Sequence, residues 1–177
     1  MQDVVWVDAQ SRVAYNDFCD AICFDATYLT NEYELPFANW VGVNQHGLSI
    51  LLGCALISRE TAETYGWVFK TWLNIMGGKP PGGILTDQCA AMRKAVAVTM
   101  PDDTRYRWCI WHITQKFGTK LGTHENYEQL KEALLCAIYD SLTVEEFDVN
   151  WLYVTEKFGL QDDKWLQGNT IILQINN

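Results

Sequence analysis

The segment AICFDATYLTN, residues 21–31, decides the predicted fold because it joins an apolar strand to a carboxylate. Its first four residues are β-compatible and apolar, which predicts a buried strand. Asp25 stands where this apolar run stops, and Thr27, Tyr28 and Asn31 follow it as a predicted turn. The Asp25 carboxylate therefore has two interpretations: it is a metal ligand at a strand end, or it is the polar start of a turn.

Two further strand-like runs follow this segment. They are FANWVGV, residues 37–43, and LSILLGCALI, residues 48–57, and NQHG separates them. The asparagine and glycine of NQHG accept the left-handed conformations that a hairpin turn needs. The sequence therefore predicts three strands, the last two joined as a hairpin, and residues 1–20 predict a strand and a short helix ahead of them.

The hydrophobic period changes to that of a helix in residues 61–76, with Ser58 or Thr61 as the N-cap, and the helix is expected to stop at Gly77 and Gly78. The later elements are a short buried strand in ILTD (84–87), a helix over 88–100, a strand entering a helix over 105–121, and helices over 127–140 and 143–160. The order β-β-β-α-β-α-β followed by helices predicts an α/β protein with a mixed sheet of the ribonuclease-H-like type.

Asp25 and Asp87 both stand where an apolar strand-like run stops. Open α/β sheets present their functional groups at the carboxyl ends of strands, so the two side chains converge if the two strands are neighbours. Convergent carboxylates are ligands that Mg²⁺ prefers. The alternative is structural, because an aspartate after a strand commonly forms a turn or caps a helix, and a predicted helix follows Asp87 directly. The pair in this order favours a metal site, present or ancestral.

Composition limits the function classes. The 177 residues include 49% hydrophobic side chains, which can fill one core, and no run of about 20 apolar residues predicts a membrane helix. The formal charge of −9 makes tight nonspecific binding of nucleic acid by this chain unexpected. Six cysteines scattered among apolar neighbours predict reduced, mostly buried thiols, which suits the cytosol or nucleus.

Three stretches carry a family resemblance. FDATYLTN and its continuation to Leu73, PPGGILTDQCAAMRKAV (80–96) and RWCIWHI (107–113) resemble the Mutator-like (MULE) transposase domain of the plant FAR-RED IMPAIRED RESPONSE proteins, over residues 21–166. The resemblance implies a ribonuclease-H-like fold with a DDE-type metal site. It also implies a nuclear, transposase-derived transcription regulator of the far-red light signalling type, with the transposase domain as scaffold and dimerisation module.

The family's site residues transfer position by position. Asp25 and Asp87 match the first two acids of the DDE set, as inherited positions for Mg²⁺, and Cys109 and His112 match the Cys-x-x-His signature. A lone Cys-x-x-His lacks the four ligands of a structural zinc site, so packing or helix entry is the preferred role of that pair. The third acid, a glutamate in a Glu-Ser-x-Asn context, is not found after Asp87, which makes turnover unexpected. A metal-dependent transposase or nuclease remains the alternative.

The resemblance also suggests how the chain is divided into parts and which partners it has. The expected parts are a lead-in (1–20), a ribonuclease-H-like core (21–122), a helical insertion segment (123–166) and a divergent tail (167–177) that suggests a truncation or an altered reading. The acidic residues Glu145, Glu146 and Asp148 are expected in the solvated first turn of an insertion helix. Homo-oligomers, or hetero-oligomers with related family members, are expected. DNA and zinc contacts are expected only from flanking domains that this chain lacks. No membrane contact is expected.

Overall fold

The structure is a computed structural model that describes residues 3–27 and 35–176, with side chains described through residue 170. The chain divides into two compact units, which we call the sheet unit (1–107) and the helical unit (108–177). The boundaries predicted at residues 20, 122 and 166 stay predictions. In the described part of the chain, each helix is too short or too polar to cross a bilayer.

A six-stranded mixed sheet organises the first unit, in the order β1-β4-β3-β2-β5-β6. Antiparallel pairing joins β1 to β4, β4 to β3 and β3 to β2, whereas β2 and β5 are parallel. The strands are β1 (Val4–Trp6), β2 (Ala21–Thr27), β3 (Phe37–Val43), β4 (Ser49–Leu56), β5 (Gly83–Thr86) and β6 (Arg105–Trp108). The predicted mixed α/β class and the predicted β3–β4 hairpin are confirmed.

The hairpin turn has the chemistry that its sequence indicates. Gly47 has φ of 72°, and its N–H donates to the carbonyl oxygen of Asn44 at 3.0 Å. The side-chain oxygen of Asn44 accepts from the N–H groups of His46 (2.9 Å) and Leu48 (3.0 Å). The turn therefore satisfies its backbone donors locally.

The predicted end of β2 is wrong by two residues. The strand continues through Asp25 to Thr27, because the antiparallel ladder with β3 pairs Asp25 with Asn39 and Thr27 with Phe37. Thr27 is therefore a strand residue, and its hydroxyl donates to the carbonyl oxygen of Phe37 at 3.0 Å. The other predicted turn residues, Tyr28 and Asn31, lie outside the described residues.

Helices of the sheet unit enclose an aromatic core. They are α1 (Ala9–Asp17), α2 (Ala62–Ile75) and α3 (Ala90–Thr99). Thr61, not Ser58, caps α2, accepting from the N–H of Thr64 at 3.2 Å. Trp72 of α2 stacks on Trp40 of β3 at 5.3 Å between ring centroids, and its indole N–H donates to the carbonyl oxygen of Leu52 at 3.0 Å. This bond ties α2 to β4 inside the core.

The helical unit contains α4 (Ile110–Gln115), α5 (Phe117–Leu121), α6 (Tyr127–Tyr139), α7 (Val144–Lys157) and α8 (Lys164–Asn176). Thr143 caps α7 as predicted, accepting from the N–H of Glu146 at 3.1 Å. The Glu146 carboxylate accepts from the N–H of Leu142 at 2.8 Å, which supports the predicted acidic first turn. Phe147 and Trp151 stack at 5.3 Å on the buried side of α7.

Candidate functional site

Asp25 lies inside β2, on the face of the sheet opposite the aromatic core. Along β2 the side chains alternate, so that Ile22 and Phe24 are buried in the core while Cys23 and Asp25 are half-buried. Directly opposite residues of an antiparallel pair point to the same face, and Asp25 is opposite Asn39 of β3. Asp25 is thus part of a regular sheet surface, and the strand backbone determines its direction.

Asp87 is the first residue after β5 and shapes the turn into α3. Its Oδ1 accepts a hydrogen bond from the N–H of Cys89 at 3.0 Å, and Cys89 is the N-cap residue of α3. Asp87 therefore has a turn-forming contact of the kind that the structural interpretation expects. This contact does not exclude a second role for the carboxylate, because a carboxylate has two oxygens and about four acceptor directions.

The parallel pairing places β2, which contains Asp25, beside β5, which ends one residue before Asp87. Its register pairs Ala21 with Gly83 and Cys23 with Leu85, an offset of 62 residues (83 − 21 = 62). Continued by two residues, the same offset places Asp87 beside Asp25 (87 − 25 = 62). Neighbouring strands lie about 4.8 Å apart, so two carboxylates at these positions are close enough to share a cation.

The two acids continue a row of residues across the sheet that sequence reasoning missed. Asn39 is paired with Asp25 on one side and with Cys54 of β4 on the other, and Cys54 is paired with Trp6 of β1. Asn39 interrupts the otherwise apolar strand FANWVGV. A polar residue of low β-propensity in such a strand is the signal that could have identified it.

A second feature that the sequence analysis missed is the buried hydroxyl of Tyr65 on α2. It donates to Oε1 of Glu60 at 3.0 Å. Burial raises the pKa of Tyr65, and the negative charge of Glu60 raises it further, with smaller contributions from Cys89 and Asp87. The hydroxyl therefore stays protonated at neutral pH, and its environment includes the start of α3.

The donor chemistry at Asp25 and Asp87 fits a hard divalent cation. Both residues supply carboxylate oxygens, at positions that lie side by side if the β2–β5 register is continued two residues past its last pair, Cys23 with Leu85. Mg²⁺ is bound in proteins by one or two carboxylates with water completing its shell. Among the described residues there is no group of three or more His, Cys, Asp or Glu side chains arranged to hold a metal ion. Asp25 and Asp87 would hold Mg²⁺, which when bound polarises a phosphoryl oxygen and lowers the pKa of a coordinated water.

Cys109 and His112 lie in the helical unit, at the beginning of α4. Cys109 is the N-cap residue and makes no side-chain capping bond, and His112 is half-buried in the first turn. The ring of His112 contacts the ring of Trp111 edge-on, with centroids 4.8 Å apart. The pair thus lies at a helix entry, and its packing role stays a prediction.

Two comparisons with known proteins, one with domain families and one with individual sequences, identify relatives of this chain. Residues 21–116 match the MULE transposase domain. Three proteins of Arabidopsis thaliana are similar over 94% of this chain: Protein FAR-RED IMPAIRED RESPONSE 1 (41% identical), Protein FAR1-RELATED SEQUENCE 4 (37%) and Protein FAR1-RELATED SEQUENCE 6 (35%). The matched segment is only 20%, 23% and 24% of those proteins, so the chain spans about a fifth of their length.

Among solved structures, a chain of the cryo-EM structure of a simian T-cell lymphotropic virus intasome in complex with PP2A regulatory subunit B56 gamma is similar over 75% of this chain. Its TM-score is 0.35 and its sequence identity is 15%, which is too low to support a conclusion. The domain match and the Arabidopsis relatives are sufficient without it. The chain belongs to the MULE transposase domain family and is related there to the FAR-RED IMPAIRED RESPONSE 1 and FAR1-RELATED SEQUENCE proteins.

Proposed function

We propose that this chain is the transposase-derived part of a nuclear transcription regulator and that it serves as a scaffold through which two copies associate. The family and the relatives named for an impaired far-red response support a regulatory role. Contact with DNA is assigned to flanking domains, because the chain itself has a formal charge of −9.

We assign the ribonuclease-H-like fold to the sheet unit as part of this proposal. The strand order β4-β3-β2-β5-β6 supports it, since three consecutive antiparallel strands are followed by a parallel strand on the other side of the first. The strand β1 is an addition at the β4 edge. In this assignment the sheet unit preserves a transposase architecture whose two acid positions are Asp25 and Asp87.

The observation that carries the scaffold proposal is an apolar stripe on the outer side of α7. Val149, Leu152 and Tyr153 are 68%, 56% and 61% exposed, and they lie at the i, i+3, i+4 spacing of one helix face. The opposite side of α7 is fully used, since Phe147 and Trp151 are buried there. A helix with apolar residues on both sides favours a second contact.

A second copy of the chain is the partner that we propose, and one pair of charged residues near the two ends of α7 is complementary in that pairing. If two α7 helices pair antiparallel about Trp151, Val149 lies opposite Tyr153 of the other copy, and Glu145 lies opposite Lys157. Both charged residues are exposed, and the Lys157 ammonium is 5.7 Å from the Tyr153 ring centroid, beside the stripe. Such an isologous contact forms each charge pair twice.

Sedimentation velocity over a range of concentrations tests this function. The unmodified chain is expected to form dimers, and Leu152→Glu is expected to weaken them by about 2 kcal/mol or more, because a carboxylate enters an apolar contact. That cost is roughly a 30-fold rise in Kd. Val98→Glu is the matched control, since Val98 is 80% exposed on α3 of the sheet unit. A chain that stays monomeric at its highest soluble concentration would contradict the proposal.

A second candidate function is metal-dependent cleavage of DNA phosphodiesters. The pairing of β2 with β5 favours it, because the same register continued by two residues places Asp87 beside Asp25. In this function Asp25 and Asp87 would hold the cation, which would polarise the phosphodiester for attack by water. Purified chain with Mg²⁺ or Mn²⁺ and supercoiled DNA would be assayed for nicking. Nicking that disappears in Asp25→Asn and persists in Asp17→Asn, an exposed acid at the end of α1, would establish this activity. If the folded chain does not nick DNA, the cleavage function is rejected and the regulatory function is the remaining proposal.

A further inference from the structure

We propose that Asn39 is a third ligand of the cation site, and that its side-chain oxygen binds the same divalent cation as Asp25 and Asp87. This inference rests on the cation site assigned to the two acids above. It adds a neutral oxygen donor from β3, the strand on the other side of β2 from β5.

The register of the sheet brings the three residues into one line. Asp25 and Asn39 are a directly opposed antiparallel pair, for which the two Cβ atoms lie about 4.5–5.5 Å apart. On its other side, Asp25 has Asp87 at the position that continues the β2–β5 register. Asp25 therefore lies in the middle, with Asn39 and Asp87 as its neighbours across the two strands. We place the cation above Asp25, between these two neighbours.

The surroundings of Asn39 on its own strand are apolar. The residues at i−2 and i+2, which share its face of the sheet, are Phe37 and Val41. An asparagine is disfavoured in a strand interior, and a half-buried amide needs polar partners. Within this row of residues, the carboxylates lie on one side of Asn39, beginning with Asp25. The polar character of the row thus begins at Asn39 and runs toward Asp87.

The residue on the remaining side of Asn39 does not compete for the cation. That residue is Cys54, and a thiol is a poor ligand for a hard cation. The donor set consists of two carboxylates and one amide oxygen, which is the ligand chemistry that Mg²⁺ and Mn²⁺ take. Its two negative charges match the charge of one divalent cation.

The inference is tested by titrating the full chain with MnCl₂ in a calorimeter and by measuring how Mn²⁺ shifts the thermal unfolding midpoint. Asn39→Leu keeps the size of the side chain and removes its oxygen, and it is expected to weaken Mn²⁺ binding about tenfold or more. Asn39→Asp replaces the amide by a carboxylate. It is expected to bind Mn²⁺ several-fold more tightly, and to unfold at a lower temperature without the metal because like charges are adjacent.

Two controls separate this inference from the site on which it rests. Asn74→Ala changes an exposed amide on α2 and is expected to bind Mn²⁺ as the unmodified chain does. Asp25→Asn is expected to lose binding. If Asp25→Asn loses binding while Asn39→Leu retains it, Asn39 is not a ligand and the two-acid site stands. If the unmodified chain gives no heat and no midpoint shift, both are wrong. Weaker binding by a folded Asn39→Asp variant also overturns the inference.

Discussion

The two units differ in the side chains that they leave outside their cores. In the sheet unit, the ring contacts join distant parts of the sequence: Tyr15 contacts Trp72, and Trp72 stacks on Trp40. In the helical unit, Phe147 stacks on Trp151, one turn further along the same helix, and Leu152 on the other side of that helix is 56% exposed. The sheet unit presents a polar row on the face opposite its aromatic core, whereas the helical unit presents an apolar stripe on the outer side of α7.

The largest effect is expected from Trp72→Ala in the sheet unit. Trp72 is fully buried, stacks on Trp40 and donates to the carbonyl oxygen of Leu52. Loss of the ring leaves a large cavity and an unpaired carbonyl, so the free energy of unfolding is expected to fall by about 4–5 kcal/mol. Urea unfolding followed by circular dichroism measures it. Trp67→Ala, on an exposed position of the same helix, is the control and is expected to change it by less than about 1 kcal/mol.

Phe147→Ala tests the helical unit in the same way. Phe147 is fully buried on α7, so its removal is expected to cost about 3–4 kcal/mol. Val149→Ala, on the exposed side of α7, is expected to cost little in a dilute monomer. Equal losses from the two variants at low concentration would mean that the outer side of α7 is part of the core.

Gly53→Ala tests how closely β4 approaches α2. Gly53 has φ of 149°, and a Cβ there would lie 3.0 Å from Nε1 of Trp72 and 3.0 Å from Cγ2 of Val7. Strain and crowding are expected to cost about 1–3 kcal/mol. Gly66→Ala, in the interior of α2 with only an ordinary contact to Thr99 at 3.8 Å, is expected to stabilise by about 0.5–1 kcal/mol. Denaturation curves in which both variants behave alike would contradict this account of β4.

The parts of the fold that the sequence predicted are those with local signals. The turn at Asn44 and Gly47 and the Thr61 cap depend on residues within a few positions of each other. The end of β2 was predicted wrongly because Asp25 is a poor strand residue by propensity, and its pairing with Asn39 overrides that propensity. Apart from the β3–β4 hairpin, no local pattern reports which strand lies beside which.

The candidate site divides in the same way. Asp25 and Asp87 were identified because each follows an apolar run, and their adjacency required only that the two strands be neighbours. Asn39 was missed because its place beside Asp25 depends on the β2–β3 register, which is set across the segment between the strands. The hydrogen bond from Tyr65 to Glu60 was missed because the helical spacing assigns Tyr65 to the apolar face of α2.

Tyr65 predicts a pH dependence of the sheet unit. Its folded pKa is raised above the ordinary value, so its contribution to stability is complete below about pH 10 and is lost as the pH rises above that value. The unmodified chain is expected to lose stability between about pH 9 and pH 11, and Tyr65→Phe is expected to lose less over the same interval. Urea midpoints at several pH values measure this. Tyr15, whose pKa is also raised by burial, contributes equally to both proteins. Identical pH slopes would show that Tyr65 is not the group responsible.

The central claim is that two copies associate through antiparallel α7 helices, and charge reversal at Glu145 and Lys157 tests it most directly. By sedimentation velocity, Glu145→Lys and Lys157→Glu are each expected to raise the dimer Kd by roughly tenfold, since two attractive pairs worth about 0.35 kcal/mol each become repulsive by a similar amount. Circular dichroism checks that each variant keeps its helices. The double variant restores both pairs with opposite sign, and we predict that it returns the dimer to near its original Kd. A double variant as weak as either single variant would contradict the claim.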